Sequence, residues 1–304
     1  MVIAILPLTS FAITSGDWDY EVKDDGTATL TAYYGTASNM VIPSEIDGYT
    51  VTEIYKEAFT ETTFIKSVSI PNTVTRIGIA AFAYCYALES VTLPNSVKLI
   101  DGSSFEGCTS LKSFNLGSGL TKIGNSAFFQ CTALTSVTGG SNLKTIGIGS
   151  FQECTKLATI TIPAKVATIC NYAFYDCSSL SNVTIPASVT TIGKFAFANT
   201  AVKKITFNGT LTQWNSITKG QDITPEKTTV VNCTGKTAVK LTNVAAGMTV
   251  SWNKVTGATG YTVMRKASGE SSYTKLGNTK AASYTDKTAK TGTDESTQYS
   301  VPAL

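Results

Sequence analysis

Histidine is absent from this chain of 304 residues, and charged side chains make up only 15% of it. The chain therefore lacks the commonest general base, the usual partner of serine and cysteine nucleophiles, and the commonest metal ligand. It also lacks a glycine-rich phosphate loop, a carboxylate-rich calcium loop and paired Cys-x-x-Cys sites. These absences predict a protein that is not an enzyme and that uses no cofactor and no metal ion.

Positive charge is scarce as well. The formal net charge is +3, and no basic run or aromatic RNA-binding motif occurs. An excess this small does not favour nucleic acid or an anionic membrane as a partner. The hydrophobic content of 42% is that of a folded soluble protein. The length of 304 residues leaves room for two domains. We expect a monomer without a nucleic-acid partner, attached to a membrane only through an anchor outside this chain.

The chain does contain a regular repeat of 23 residues. A phenylalanine marks each unit, and an isoleucine stands five residues before it. The phenylalanines are Phe59, Phe82, Phe105, Phe128, Phe151, Phe174 and Phe197, and the isoleucines are Ile54, Ile77, Ile100, Ile123, Ile146, Ile169 and Ile192. A unit this short can bury its apolar face only against its neighbours, so the two columns predict a solenoid with one coil per repeat.

Two periods can be distinguished within each repeat. A Val-x-Ile pair alternates as a short strand does, and proline or glycine follows it, where a strand ends. The Ala-Phe-x-x-Cys-x-x-Leu stretch has apolar residues three positions apart, which predicts a helical turn or a short helix. The predicted fold class is mainly β with short helices: a solenoid of 23-residue coils followed by a small β-sandwich.

The unit I-x-x-x-A-F-x-x-C-x-x-L-x-x-V-x-I-P-x-x-V resembles the leucine-rich repeats of BspA-like bacterial surface proteins over residues 16–219. Proline or glycine follows the strand where ordinary leucine-rich repeats carry asparagine, which is the pattern of this subfamily. The resemblance implies a leucine-rich-repeat solenoid on a secreted or cell-surface adhesin. It further implies a protein ligand on a host or neighbouring cell, with extracellular-matrix proteins among the candidates.

The seven cysteines raise the question of disulfides or metal ligation. Five of them occupy one repeat column: Cys85, Cys108, Cys131, Cys154 and Cys177. A free cysteine behaves as a small apolar side chain, and neighbours stacked in parallel suit the disulfide torsion poorly. We therefore interpret the column as buried thiols. Cys170 and Cys233 lie outside this column, and we expect both to be exposed.

The N-terminal part of the chain precedes the repeats. Residues 1–12 form an apolar run that is typical of a secretory signal, with cleavage predicted after Ala12. Residues 13–42 alternate in polarity around an Asp-Gly turn at 25–26, which predicts a β-hairpin. We expect this hairpin to cap the open edge of the solenoid, which we assign to residues 43–219.

The C-terminal part begins with a predicted linker, residues 220–236. Before it, Trp214 is interpreted as a cap over the last apolar layer rather than a ligand platform. Residues 237–304 contain short alternating strands, and their Trp252 strand followed by Gly-Tyr-x-Val resembles a fibronectin type III domain. The chain stops where such a domain needs its last strand, so we expect this domain to be truncated.

Three sets of residues are candidate binding surfaces. The first lies between the buried positions of the strands: Lys112, Asn115, Thr138, Thr161, Asn182 and Thr184. The second consists of aromatic residues that the repeat does not require: Phe129, Tyr172, Tyr175 and Phe195. A solvated face and packing at the end of the array remain the alternatives for these two sets. The third is a basic line, for which we favour a solvated face screened by salt over a binding role: Arg76, Lys98, Lys122 and Lys144.

Three functions follow from these patterns. The leading hypothesis is an adhesin that recognises a protein through the solenoid surface, because a rigid repeat supplies area without catalytic groups. A structural spacer that displays other domains is the second hypothesis. A glycan-binding module is the third.

Overall fold

The computed structural model describes residues 12–224, 230–233, 239–244, 247–252, 259–266, 271–289 and 298–301. The predicted signal segment lies outside these residues except for Ala12. The chain forms two compact units. Unit 1 runs to Val183 and also contains Ser188–Lys204 and Thr218–Thr229, while unit 2 contains Thr184–Ala187, Ile205–Ile217 and the chain from Val230 onward.

The described elements are almost all short strands. Up to the end of the repeats they are β1 (Ile13–Ser15), β2 (Trp18–Val22), β3 (Ala28–Tyr33), β4 (Asn39–Val41), β5 (Glu45–Ile46), β6 (Tyr49–Ile54), β7 (Ser67–Ser69), β8 (Arg76–Ile77), β9 (Ser90–Thr92), β10 (Leu99–Ile100), β11 (Ser113–Asn115), β12 (Lys122–Ile123), β13 (Ser136–Thr138), β14 (Thr145–Ile146), β15 (Thr159–Thr161), β16 (Thr168–Ile169), β17 (Asn182–Pro186), β18 (Thr191–Ile192) and β19 (Lys204–Asn208). After these come α1 (Leu211–Ser216), β20 (Thr218–Lys219), β21 (Val230–Cys233), β22 (Val239–Val244), β23 (Gly247–Trp252), β24 (Tyr261–Lys266), β25 (Thr274–Thr279), β26 (Ser283–Asp286) and β27 (Gln298–Ser300).

The strands that contain the isoleucine column make up most of the longest sheet. Its strands follow the order β1-β2-β3-β6-β8-β10-β12-β14-β16-β18-β20, with β5 beside β6. From β6 onward neighbouring coils pair in parallel, so that Ile54 faces Ile77 and Ile123 faces Ile146. The predicted solenoid of 23-residue coils is therefore confirmed.

The hairpin around the Asp-Gly turn is present as β2 and β3, which pair antiparallel. Strand β3 then pairs in parallel with β6, the strand that begins the isoleucine column. Trp18 of this hairpin also lies edge-on to Phe59, with ring centroids 6.1 Å apart. The hairpin thus covers both the first sheet strand and the first ring of the phenylalanine column.

The Val-x-Ile strands lie on a second face and form shorter sheets. Strands β4, β7 and β9 pair in one sheet and β11 and β13 in another, while a further sheet begins at β15. The side chains alternate as predicted. Val68 and Phe114 are buried, whereas Asn115, the residue after Phe114 in β11, is exposed. In the described residues, no ladder joins β9 to β11 or β13 to β15.

The predicted short helices are consecutive turns instead. Around Phe128, the residues two before and two after it, Ser126 and Gln130, have φ of 54° and 57°. The N–H groups of Phe128 and Gln130 donate to Ser150 O and Gln152 O of the next coil, at 2.8 and 2.9 Å. A helix would direct these donors within its own segment. The left-handed residues turn them toward the neighbouring coil, so of the two predicted forms, a helical turn or a short helix, this stretch forms turns and not a short helix.

The phenylalanine and cysteine columns build the core of unit 1. Neighbouring rings from Phe59 to Phe197 stack with centroids 4.9 to 5.4 Å apart. Each thiol of the cysteine column is free, and it donates to the phenylalanine carbonyl of the preceding coil at 3.0 to 3.2 Å. Burial raises the pKa of Cys85 to about 12. The interpretation of the column as buried thiols is confirmed.

The two other cysteines differ from the column. Cys170 is half-buried rather than exposed, and burial raises the pKa of its thiol. The expectation of exposure was therefore wrong for Cys170, whose column is mostly glycine and lies against the backbone of the adjacent coil. The side chain of Cys233 lies outside the described part of the chain.

Unit 2 contains antiparallel sheets of non-repeating sequence. Strands β22, β23 and β26 form one sheet, and β25, β24 and β27 form another. Their buried residues make one core, in which Trp252 and Tyr261 lie edge-to-face with centroids 5.1 Å apart. Trp214 of α1 is buried against Phe207, at a centroid distance of 5.4 Å. A buried indole cannot serve as an open platform, which agrees with the interpretation of Trp214 as a cap.

Candidate protein-binding surface

Three aromatic side chains that the repeat does not require lie together in unit 1. Tyr172 and Phe195 are 23 residues apart, so they occupy the same position in adjacent coils. Their rings stack with centroids 5.3 Å apart and an interplanar angle of 16°. Tyr175 meets Tyr172 edge-on at 5.6 Å and 80°. We call these three residues the aromatic cluster.

The backbone beneath the aromatic cluster is in an unfavourable conformation for large side chains. Tyr172 and Phe195 have φ of 57° and 56°, in the left-handed region. Glycine adopts this conformation without a steric penalty, and Gly149 holds the same position in the preceding coil with φ of 56°. An L-residue with a side chain loses about 1–2 kcal/mol in this region. The turn therefore accommodates the two aromatic residues at some cost in stability.

The aromatic cluster is accessible and held in place. The side chain of Tyr172 is 37% exposed, whereas Tyr175 and Phe195 are half-buried. Asn199 Nδ2 donates to the hydroxyl oxygen of Tyr175 at 3.0 Å, which fixes one end of that ring. The stack and this hydrogen bond restrict the rotamers before any partner arrives.

Phe129 does not join the aromatic cluster. It shares a column with Tyr175 but lies two coils earlier, with Gln152 of the intervening coil between them. Its ring is half-buried and makes no ring contact with the cluster in the described structure. The structure thus brings together three of the four aromatic residues that the sequence singled out.

The strand face is polar. Lys112, Asn115, Thr138, Thr161 and Asn182 are exposed, and Thr184 is half-buried. Three of these side chains already contact their own chain. Lys112 pairs with Glu89, Asn115 Oδ1 accepts from the Gly117 N–H at 3.0 Å, and Asn182 Nδ2 donates to Ser181 Oγ at 3.0 Å. We still predict that this face contributes to binding, but its polar groups offer no apolar anchor of their own.

One feature of the strand face was missed by the sequence reasoning. At the position that is Ile70, Leu93, Leu116, Ile162 or Ile185 in other repeats, the chain has Gly139. A small pocket lies beside it, lined by apolar residues that include Leu116, Ile160 and Ile162 and by the exposed Thr138 and Thr161. A glycine in an otherwise aliphatic column was the sequence signal that could have located it.

The basic line does not form a cation patch of free groups. Arg76 lies between two carboxylates, with its guanidinium nitrogens 3.0 Å from Glu53 and 2.6 Å from Asp101. Lys98, Lys122 and Lys144 are exposed. Because Arg76 is neutralised by its own chain, this line gives little basis for an anion site.

Two other features are absent from the described residues. Within the described residues, no group of three or more His, Cys, Asp or Glu side chains is placed to hold a metal ion. No helix in the described ranges is long and apolar enough to cross a membrane.

Parallel coils with a strand, a run of turns and a second short strand in every 23 residues define a leucine-rich-repeat solenoid of the binding or structural class. The chain matches the BspA type leucine rich repeat region in six copies, over residues 52–179 and 100–218, which is more than half of its length. The chain belongs to this family. BspA-like leucine-rich repeat proteins are surface proteins.

The chain is similar to several solved structures, and one with a TM-score above 0.5 shows the same fold. A leucine-rich repeat protein from Bacteroides ovatus is 24% identical, with a TM-score of 0.51 over 73% of this chain and 72% of that chain. The leucine-rich repeat protein of T. pallidum is also 24% identical, with a TM-score of 0.48 over 73% of this chain and 86% of its own. A third, from Bacteroides capillosus, is 32% identical over 42% of this chain and 96% of its own, with a TM-score of 0.37. No curated protein matches the chain.

Proposed function

We propose that this chain is a non-catalytic adhesin-like module, secreted or displayed on a cell surface, that binds a protein of a host or neighbouring cell. The observation that carries the proposal is the aromatic cluster, a partly exposed stack kept at two backbone positions that disfavour it. Family membership supports a surface location and protein binding in general. We assign the partner contact to the cluster, with the polar strand face as a second contact region.

The physical argument starts from what a binding surface needs. Tyrosine and other aromatic side chains supply large apolar contact areas, and such residues dominate the free energy of many protein interfaces. A stack that is already ordered loses little conformational entropy when a partner covers it. Tyr172 is exposed enough to be covered, whereas the seven stacked phenylalanines below are buried.

The structural-spacer function has one observation in its favour. The phenylalanine rings stack almost in parallel from Phe82 to Phe197, with interplanar angles of 1° to 8°. Such a regular column suits a stiff rod that displays other domains. A glycan-binding module remains the third candidate, because an exposed tyrosine ring can also stack on a sugar.

The domain assignments outside the repeats are proposals of the same kind. We propose that residues 237–304 are a fibronectin type III-like β-sandwich and that 220–236 link it to the solenoid. Two antiparallel sheets with a shared Trp252–Tyr261 core support the sandwich. Strand β21 lies within the proposed linker and shows that part of it is extended. The secretory signal at 1–12 is likewise a proposal.

The test removes the two stacked rings and leaves the turn intact. Glycine at both positions, Tyr172→Gly with Phe195→Gly, reproduces the residue that the preceding coil has there. Purified wild type and variant are compared for binding to immobilised extracellular-matrix proteins, to a glycan array and to cultured cells. We expect the double variant to lose at least tenfold in affinity for the protein ligand.

The matched control is Tyr86→Ala, which removes a tyrosine that is 49% exposed on the turn of another coil. We expect this variant to bind as wild type does. Absence of binding by the wild type on every surface would support the spacer, and binding confined to the glycan array would support the glycan module. Equal protein binding by all three proteins would overturn the assignment of the contact to the aromatic cluster.

A further inference from the structure

The turns around the phenylalanine column carry charge of one sign only. We define the turn face as the five residues centred on each repeat phenylalanine: 57–61, 80–84, 103–107, 126–130, 149–153, 172–176 and 195–199. The whole chain has 24 lysines and arginines against 21 aspartates and glutamates, yet no lysine or arginine falls in the turn face. Its acidic residues are Glu57, Glu61, Glu106, Glu153 and Asp176. The turn face is therefore opposite in sign to the chain as a whole.

Two of these carboxylates belong to the coils that carry or adjoin the aromatic cluster. Glu153 and Asp176 occupy the same column in adjacent coils, and both are half-buried. Asp176 directly follows Tyr175, and the N–H of Glu153 donates to Tyr175 O at 2.8 Å. Paired backbones of adjacent coils lie about 5 Å apart, so the two negative charges repel each other. A cation supplied from outside would reduce that repulsion.

The chain itself does not neutralise these two groups. Glu153 accepts from the neutral amides of Gln130 and Gln152, at 2.9 and 3.4 Å. In the part of the chain that the structure describes, the carboxylate of Asp176 makes no hydrogen bond and no ion pair, and Lys156 and Lys194 pair with neither carboxylate. The negative charge beside the aromatic cluster is thus available to a partner.

An aromatic ring beside a carboxylate suits an arginine side chain. A guanidinium is planar, stacks on aromatic faces and pairs with a carboxylate through two parallel N–H bonds. The chain makes a related contact elsewhere, since Lys56 Nζ lies 5.9 Å from the centroid of the Tyr55 ring. Among the described residues, no lysine or arginine lies over the exposed ring of Tyr172 in this way. An acidic segment would be repelled here, and an aliphatic one would leave the carboxylates unpaired.

We propose that the aromatic cluster, together with Asp176, binds an arginine side chain in a basic segment of the protein partner. This inference rests on the proposed function as a protein-binding module. The guanidinium stacks on the aromatic cluster and pairs with Asp176, while Glu153 adds to the attraction. The other turn-face carboxylates favour further basic residues on the same segment, so charge complementarity selects the partner.

The first experiment uses the whole chain and two tripeptides with blocked ends, one of arginine and one of citrulline. Citrulline has nearly the shape of arginine but no charge. NMR of ring-labelled tyrosine and phenylalanine should show shifts at Tyr172 and Phe195 that saturate at millimolar tri-arginine, and much smaller shifts with tri-citrulline. Absence of shifts with tri-arginine overturns the proposal, and so do equal shifts with tri-citrulline, which would indicate a neutral partner.

The second experiment removes one charge with Asp176→Asn. Asp176 has φ of 57°, a conformation that asparagine tolerates well, so the turn should be preserved. The matched control is Asp24→Asn, the same change at an exposed carboxylate of the hairpin turn. We expect Asp176→Asn to weaken binding of tri-arginine and of the partner about threefold to fivefold, as for a partly exposed ion pair, and Asp24→Asn to change neither.

Salt gives an independent measure of the same interaction. Raising the ionic strength from about 0.05 M to about 0.5 M should weaken wild-type binding and bring it close to that of Asp176→Asn, because exposed charges are then screened. Wild-type affinity that does not change with salt would overturn the proposal.

The two proposals fail in different ways. If Asp176→Asn binds the partner as wild type does, while the Tyr172→Gly/Phe195→Gly variant does not, the arginine proposal is overturned and the proposed function stands. If tri-arginine shifts the cluster but neither variant affects partner binding, both the arginine proposal and the proposed partner contact at the cluster are overturned.

Discussion

The two units stabilise themselves in different ways. In unit 1 the same buried side chains recur in coil after coil, and the thiol of each column cysteine makes the same hydrogen bond. In unit 2 the buried carboxylate of Asp286, only 2% exposed, accepts from Arg265 at 2.8 Å and from Tyr299 at 3.0 Å. That arrangement occurs once. A change in unit 1 should therefore affect the neighbouring coils. A change at Asp286 should instead affect Arg265 and Tyr299, which are partners of different kinds.

Alkaline pH is expected to produce the largest difference in stability between the two units. The buried thiols of Cys85, Cys108, Cys131 and Cys154 have raised pKa values because burial disfavours the thiolate. The unfolded chain loses these protons near pH 9 and the folded chain retains them, so stability present below pH 9 is lost as pH rises. For Cys85, with a folded pKa of about 12, the loss between pH 9 and 12 is about 4 kcal/mol.

Unit 2 should begin to lose stability at a higher pH than unit 1. Burial, followed by the hydrogen bond to Asp286, raises the pKa of Tyr299 to about 12, so its loss of stability begins only near pH 10. Urea unfolding followed by circular dichroism at pH 8 to 11 measures the slopes, and Cys131→Ala should reduce the slope of unit 1. Equal slopes for wild type and Cys131→Ala would contradict the claim that the buried thiols cause the alkaline loss of stability in unit 1.

The second prediction tests whether core damage stays local. Phe128→Ala removes a ring that contacts Phe105, Phe114 and Phe151, and we expect a loss of about 3–5 kcal/mol in the unfolding free energy. Hydrogen exchange should accelerate in the adjacent coils and remain unchanged in β23 and β24. Phe129→Ala, at the half-buried neighbouring residue, should cost much less. Faster exchange throughout unit 2 would show that the units are not independent.

The third prediction concerns the polar network around Asp286 in unit 2. Asp286→Ala leaves the Tyr299 hydroxyl and the Thr288 N–H without their acceptor, and we expect a loss of about 2 kcal/mol. The contrasting change in unit 1 is Asp101→Ala, beside the exposed Arg76, where we expect about 0–1 kcal/mol. Denaturant midpoints of the two variants measure the difference. A larger effect at Asp101 would reverse the expected ranking.

The smallest expected change in stability is at the aromatic cluster. Tyr172→Gly with Phe195→Gly removes ring stacking worth about 0.5–1.5 kcal/mol, and it relieves a backbone penalty of similar size. We therefore expect the unfolding free energy to stay within about 1 kcal/mol of the wild type. Thermal and denaturant unfolding give the value. A large loss of stability would mean that the aromatic residues serve the fold rather than a partner.

The sequence predicted the regular part of the solenoid because strict spacing leaves few alternatives. Phenylalanines every 23 residues placed the ring stack, and the cysteine column placed the buried thiols. The sequence left both a helical turn and a short helix open for the turns, because the left-handed positions hold residues such as Ser126 and Gln130, which give no glycine signal. Phe129 was grouped with Tyr175 although two coils separate them. The pocket beside Gly139 was not predicted, because the sequence shows the glycine in its column but not how the neighbouring side chains pack around it.

The aromatic cluster occurs where the repeat departs from its own pattern, because Tyr172 and Phe195 add large side chains that the repeat does not require. The repeated columns explain the fold, and these departures do not improve it. Our account therefore places the function at the departures.

The most direct test is the affinity of the Tyr172→Gly/Phe195→Gly protein for a ligand that the wild type binds, measured beside its unfolding free energy. The account predicts at least a tenfold loss of affinity, with stability within about 1 kcal/mol of the wild type. Unchanged affinity in a folded double variant would contradict it.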